Sequence, residues 1–338
     1  MKKILPLKKP EIVHSPFNTY LFAILSNYPE TKEWVMKNCI NIQIYIEDGT
    51  DHFSPKMLWD YCPYTETIKI TYGQCLNNWD NFVEFCKECI ESESYILPIL
   101  NMKYIPHYNS EIDSEHNPII YGFDDESENI YIADFFQNGI FSLETCKYSE
   151  LNQAFSKLTE VEEFDSSFYL GYSSHITLLN YTHDKCQNNC CCNKAIQKAY
   201  YKKQLFYFLE GLPTFYEGAP VEIKEKYCFG IKCIDYAIDN NFHSRRFHSL
   251  LYSWSRLWVK RIEYLLSEGI IDYSLKVVVL CEKVCKMSKI NLYNYLKYDL
   301  KTNCTIKNFP SIQKKVILGL KEYRELVCNF IIEVLSLL

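Results

Sequence analysis

Polar and apolar positions alternate with two different periods along this chain. Up to about residue 180 the apolar runs are short, and several alternate with period two. Ile40–Ile46 alternates and ends at Glu47-Asp48-Gly49, which predicts a strand, and Ile68–Tyr72 predicts a second. Apolar residues at 79, 82, 83, 86 and 90 predict a helix over Trp79–Ile90. Tyr95–Leu100 reads as a strand continuing toward Pro106, followed by a polar loop over Asn109–Glu115, and Tyr148–Leu158 reads as a helix. At the start, the basic, proline-bearing stretch Met1–Val13 suggests an extended arm. Ser15-Pro16 then opens a helix whose buried face is Leu21, Phe22, Ile24 and Leu25, with serine suited to the cap and proline to the first turn. Helix first and mixed strands afterwards is an α+β order, not a βαβ repeat.

The pattern breaks over residues 180–193 and then becomes helical. Lys194–Leu212, Glu222–Asn241 (interrupted at Gly230), Arg246–Ser267, Ile270–Met287 and Ser311–Leu338 predict a bundle of about five helices. Arg246–Ser267 carries the clearest three-and-four spacing, with apolar residues at 247, 250, 251, 254, 257, 258, 262 and 265. Two domains are expected on this basis, 1–180 and an all-α 194–338.

Composition narrows the class. The chain has 338 residues, 48% of them hydrophobic and 23% charged, which fits a folded globular protein. A net charge of −6 argues against general nucleic-acid binding. No apolar run approaches the roughly 20 residues that span a bilayer, so no membrane association is expected. The basic start lacks the apolar core of a secretory signal, so a reduced, cytoplasmic setting is expected. There the 16 cysteines, such as Cys86 and Cys89 in FVEFCKECI, serve mostly as small buried hydrophobes.

Chemistry concentrates at His116–Phe136. Pro118–Phe123 and Ile130–Phe136 flank the polar turn Asp124–Asn129, a hairpin signal. A turn centred near Glu126 gives an even pairing sum. His116 and Asp134 then share a face as diagonal neighbours, at roughly 7–8 Å between backbones. A carboxylate orienting an imidazole is half of a nucleophilic triad, though each residue also suits a strand end satisfied by backbone. Ser15, at a helix N-terminus, is either a plain cap or a nucleophile near backbone N–H groups. Cys75 is the spare nucleophile, and His14 is a loop residue easily mistaken for the base. Asn18, Gln43 and Gln74 are the possible oxyanion donors. His183, Cys186, Cys190, Cys191 and Cys192 resemble a zinc set. Three adjacent cysteines cannot share one ion without strain, and no second knuckle follows, so linker thiols and no metal are expected. Arg245, Arg246, Arg256 and Lys260 follow one helix, as a solvated edge or a docking patch for an acidic partner. No Gly-rich phosphate loop or HExxH occurs.

The segments SPFNTYLFAIL, YILPILNMKYIP and HNPIIYGFDDESENIYIADFF resemble the papain-like fold of peptidase C39-like families. More closely, they resemble the N-terminal domain of butirosin biosynthesis protein H-like proteins from thiotemplated non-ribosomal peptide clusters. FGIKCIDYAI and RRFHSLLYSWSRLWVKRIEYL resemble the helical C-terminal part of the same relatives, so the likeness covers nearly the whole chain. One such relative is the amide-forming, cysteine-protease-like enzyme of closthioamide assembly. The resemblance implies acyl transfer from a carrier-protein thioester to an amine. The acyl group would ride on a phosphopantetheine arm of an acyl or peptidyl carrier protein, with no other cofactor. His116 falls on the family's histidine, Asp134 on its aspartate, Asn18 three residues after the nucleophile, and Ser15 where relatives have cysteine. A hydroxyl is far less acidic than a thiol, so the departure leaves three readings: a natural serine variant, an inactive homologue, or an engineered replacement of cysteine. A non-catalytic carrier-protein binder and a thioester or peptide hydrolase are the alternatives to amide formation.

Overall fold

A computed structural model describes residues 1–47, 49–54, 58–158, 175–182, 193–213, 226–241, 244–302 and 309–338. The His183–Cys192 set lies outside these residues. The chain is mixed α and β with a helical C-terminal region. Its two compact units are not the contiguous blocks 1–180 and 194–338. One comprises Met1–Pro10, Thr19–Thr31 and Trp59–Asn188, and the other Glu11–Asn18, Lys32–Leu58 and Asn189–Leu338. Helix α1 (Pro16–Leu25) passes from one to the other after Asn18.

The first unit is built on a seven-stranded sheet. Its main path runs β10 (Phe141–Lys147), β9 (Asn129–Phe135), β8 (Ile119–Asp124), β5 (Ser94–Leu97), β11 (His175–Tyr181) and β4 (Thr65–Thr71). The short β1 (Lys2–Ile4) adds to β8, so the expected arm begins as a strand: Lys3 faces Phe123 and Ile4 faces Gly122. Gly122 is needed there, because a Cβ would come 2.9 Å from the Lys3 carbonyl. Helices α3 (Tyr72–Asn78), α4 (Phe82–Glu91) and α5 (Tyr148–Ser156) belong to this unit. Phe82 of α4 stacks on Phe155 of α5 at 4.0 Å, and Phe85, Cys86 and Ile90 complete α4's buried stripe. The single helix expected over Trp79–Ile90 is two, because Trp79 caps the end of α3 in extended conformation and Asn81 caps the start of α4.

The second unit is helical but not all-α. A three-stranded antiparallel sheet of β12 (Tyr227–Phe229), β2 (Asn41–Tyr45) and β3 (Thr50–Ser54) accompanies α2 (Lys32–Lys37), α6 (Lys194–Glu210), α7 (Ile231–Asp239), α8 (Arg245–Ser267), α9 (Leu275–Thr302) and α10 (Phe309–Leu337). The helix expected to reach Asn241 is a strand and a helix, divided where the sequence places Gly230. Gly230 has φ +55° and ψ −130°, which only glycine adopts without strain. Helix α8 is the axis of this unit, burying Phe247, Leu251, Trp254, Trp258 and Arg261. Arg261 donates to the carbonyls of Met36 (2.7 Å) and Asn38 (2.6 Å) at the end of α2, and its guanidinium lies 4.4 Å from the Trp258 ring. Among the described residues no helix is long and apolar enough to cross a membrane.

Candidate active site

The hairpin forms as the sequence indicates, with one irregularity that matters. Near the turn, Asp124 faces Asn129 and Phe123 faces Ile130, an odd pairing sum. A bulge between Ile120 and Gly122 shifts the register, so that Ile119 faces Ala133 and Ile120 faces Ile132. The sum is even beyond the bulge, and this parity places Asp134 on the face that His116 reaches. His116 itself sits on β7 (Glu115–His116), a separate two-residue strand paired with β6 (Leu100–Asn101), where it faces Leu100.

His116 Nδ1 is 2.6 Å from Asp134 Oδ2. The contact keeps the proton on Nδ1, which donates it to the aspartate, and leaves the Nε2 lone pair as the basic site. Asp134 is fully buried. Its Oδ1 accepts from the Phe135 N–H at 2.6 Å, and its Oδ2 also accepts from the Tyr108 hydroxyl. The Tyr20 hydroxyl lies 2.6 Å from both Asp134 Oδ1 and the Asn117 carbonyl, so its one proton serves either in turn. Burying a carboxylate costs several kcal/mol unless donors compensate, and here they converge from α1, the 106–108 turn, β9 and the imidazole. Burial by itself lowers the His116 pKa. The Asp134 charge and hydrogen bond, with help from Glu115, outweigh it, and the net shift is upward from the ordinary histidine value. Burial, reinforced by the same carboxylate, pushes the Tyr20 and Tyr108 hydroxyls well above the usual phenol range, so both stay protonated donors. His116 remains 32% exposed, and among the described residues of its own unit nothing bonds Nε2.

Ser15 belongs to the second unit and is fully buried before α1. Its Oγ donates to Asn18 Oδ1 at 3.1 Å. Asn18 is 1% exposed and, among the described residues, its Nδ2 is a buried donor with no partner. The three amides named from the sequence therefore separate. Gln74 is consumed by the α3 capping box with Thr71, Gln43 is buried with both side-chain polar atoms unpartnered among the described residues, and Asn18 has a spare donor beside Ser15.

The remaining candidates have structural roles. His14 is buried, its Nε2 is 3.1 Å from the Asp51 carbonyl and 3.4 Å from Asp51 Oδ2, and its ring meets Phe53 edge-on at 6.1 Å. Burial, assisted by the Arg246 charge, drives its pKa down to about 3, so it is a neutral core histidine. Asp51, buried beside it, is pushed up to about 7 by desolvation, against the pull of Arg246. Burial pushes the Cys75 thiol up to about 12, which leaves almost no thiolate at neutral pH. Cys39, Cys86, Cys146, Cys233 and Cys281 are likewise buried free thiols in apolar surroundings. Of the basic set on α8, Arg246 lies 3.8 Å from Asp51, and Lys260 reaches Glu11 and Glu263. Among the described residues no group of three His, Cys, Asp or Glu side chains is placed to hold a metal ion.

Tyr20 and Tyr108 are the site residues that the sequence reading missed. The signal for Tyr20 was present: a tyrosine amid Leu21, Phe22, Ile24 and Leu25 on a buried helical face must find a partner for its hydroxyl. No protein-family model matches the chain, and no curated protein matches its sequence.

Proposed function

We propose that the chain is a papain-like acyltransferase that moves an acyl group from a carrier-protein thioester to an amine, forming an amide. The observation that supports it is the His116–Asp134 pair: a one-third-exposed imidazole bonded at Nδ1 to a fully buried carboxylate, with no described residue of its own unit bonded to Nε2. In this reading Ser15 Oγ attacks the thioester carbonyl as His116 Nε2 takes its proton. The tetrahedral intermediate expels the pantetheine thiolate, which recovers that proton, and an ester on Ser15 remains. The amine then attacks the ester, its proton passes to Nε2, and the intermediate collapses with return of the proton to Ser15. The spare Asn18 Nδ2–H is the oxyanion donor beside Ser15 Oγ.

The full burial of Ser15 supports a second reading, a non-catalytic homologue that binds an acylated carrier protein. Intact-protein mass after incubation with acyl-carrier thioesters separates the two, using this chain, Ser15→Cys and Ser15→Ala. An acyl adduct on the parent or Cys form and none on the Ala form supports transfer through residue 15. Carrier binding by all three with no adduct on any leaves the binding protein.

A further inference from the structure

A cavity of about 250 Å³ opens on the first unit, lined by His107, Phe136, Ile140, Ser142 and Glu144 together with Pro106 and Gln137. It adjoins the His116–Asp134 pair. Ser142 is the cross-strand partner of Asp134. The Phe136 ring lies 4.8 Å from Tyr108, whose ring is 5.6 Å from His116. Ser142 and Glu144, two apart on β10, share one face of that strand.

Its polar end has a specific mismatch. His107 Nε2 is 2.9 Å from the Thr145 carbonyl, an acceptor, so Nε2 carries a proton. β10 is an edge strand of the sheet, which leaves that carbonyl available. In the neutral ring Nδ1 is then an acceptor, and it faces Glu144 Oε2 at 3.8 Å. That gap exceeds hydrogen-bond length, and two acceptors facing across it call for a donor between them. A primary ammonium has three N–H groups, and the cavity offers three acceptors: the Glu144 carboxylate, His107 Nδ1 and the Ser142 hydroxyl oxygen. Apart from Gln137, the other walls are apolar: Pro106, the Phe136 ring and Ile140, which is 55% exposed. A cavity of about 150 Å³ accommodates benzene, so this one has room for an ammonium on a stem of roughly five to seven carbons.

We propose that this cavity binds a primary ammonium on a short apolar stem, held by Glu144, His107 and Ser142 with the stem against Phe136 and Ile140. As the subsite for the amine acceptor, the inference rests on the acyl-transfer reading; as a binding site it does not. The test is titration of the full chain with n-pentylammonium, 1-pentanol and pentanoate by calorimetry and NMR, on the parent, Glu144→Gln and Ile140→Ala. Glu144 is one-third exposed, so the neutral isostere leaves the fold intact. The expected result is saturable n-pentylammonium binding, at least tenfold weaker in Glu144→Gln and severalfold weaker in Ile140→Ala, with both other probes at least tenfold weaker on the parent. Equal binding of pentanol and pentylammonium, an unchanged affinity in Glu144→Gln, or no saturable binding overturns the site. Acyl-adduct formation on residue 15 is read on the same variants. An adduct without amine binding defeats the subsite alone, and amine binding without any adduct defeats acyl transfer alone.

Discussion

Replacing Asp51 with asparagine should make the chain acid-sensitive, and replacing His14 with glutamine should make it sensitive in the opposite direction. In the folded chain burial holds the His14 pKa at about 3 and raises Asp51 to about 7. Unfolded, the same side chains titrate near their ordinary values of roughly 6.5 and 3.9. Between about pH 4 and 6.5 folding therefore removes one proton from His14 and adds one to Asp51, and the pair contributes almost no pH slope to stability. Asp51→Asn keeps the causes that depress His14, its burial and the Arg246 charge, and removes the compensating proton uptake. The unfolded state then binds one proton more than the folded state below about pH 6.5. Stability falls with falling pH by up to ~1.4 kcal/mol per unit, or about 2 kcal/mol from pH 6.5 to 5 relative to the parent. In His14→Gln the folded state binds the extra proton, and stability falls by a similar amount as pH rises from about 5 to 6.5. Urea midpoints of the three proteins at pH 5, 6 and 6.5 give the comparison, because every other titrating group is shared and cancels in the differences. Three parallel curves would refute the proton exchange, as would shifts of the same sign in both variants.

Two further predictions follow from the same kind of accounting. Asp134→Asn removes both causes by which that carboxylate raises His116 and leaves the burial that lowers it; the His116 Cε1–H titration by NMR should move to a midpoint below the parent's, and acyl-adduct formation should slow at every pH tested. Gly230→Ala forces a residue with a Cβ to φ +55° while pressing that Cβ into the Phe208 carbonyl. A loss of about 3 kcal/mol or more in urea unfolding is expected, and a loss below about 1 kcal/mol would show that the turn relaxes without strain.

The parts of the fold visible in the sequence are those where one local rule decides. The hairpin carries short apolar runs on both sides of an acidic turn, and α8 carries an unbroken three-and-four stripe; both form as expected. The parts that escaped depend on partners far away in the chain. β1 is three residues inside a basic stretch and exists because Phe123 and Gly122 offer it an edge. β10 lies at the sheet edge with five of its seven residues not fully buried and only Leu143 of the five apolar, so its period is weak. β3 starts at Thr50, opposite Tyr45 of β2, just beyond a Glu47-Asp48-Gly49 sequence that reads as the end of a strand. The excursions 11–18 and 32–58 into the second unit are a property of packing, which no local period encodes. At the site, the even pairing that aligns His116 with Asp134 was read from an assumed turn, yet the turn region itself pairs with odd parity. The bulge at Tyr121 restores the alignment, and the strand-interior Gly122 beside it is its local signal.

Three histidines in one chain show why His116 carries the functional reading. His14 is fully buried, neutral, and held at Nε2 by the Asp51 carbonyl, as expected of a packing residue. His107 is tied at Nε2 to Thr145 on the sheet edge, so its remaining nitrogen opens on a cavity. His116 alone of the three is tied at Nδ1, to a carboxylate that has no solvent contact and is supplied with donors from two tyrosines and a backbone N–H. A histidine kept only for packing gains nothing from a buried charge, because an apolar pair of the same volume is often as stable or more so. A histidine that must become an imidazolium during a reaction needs that charge, since the half-buried ring would otherwise resist protonation. The decisive comparison is Asp134→Asn with Tyr20 and Tyr108 intact. A role limited to packing lowers stability, because the buried donors lose an acceptor, and lowers acyl transfer only as far as the folded fraction falls. A catalytic role produces a loss of acyl transfer larger than any change in stability, and it does so whether residue 15 is serine or cysteine.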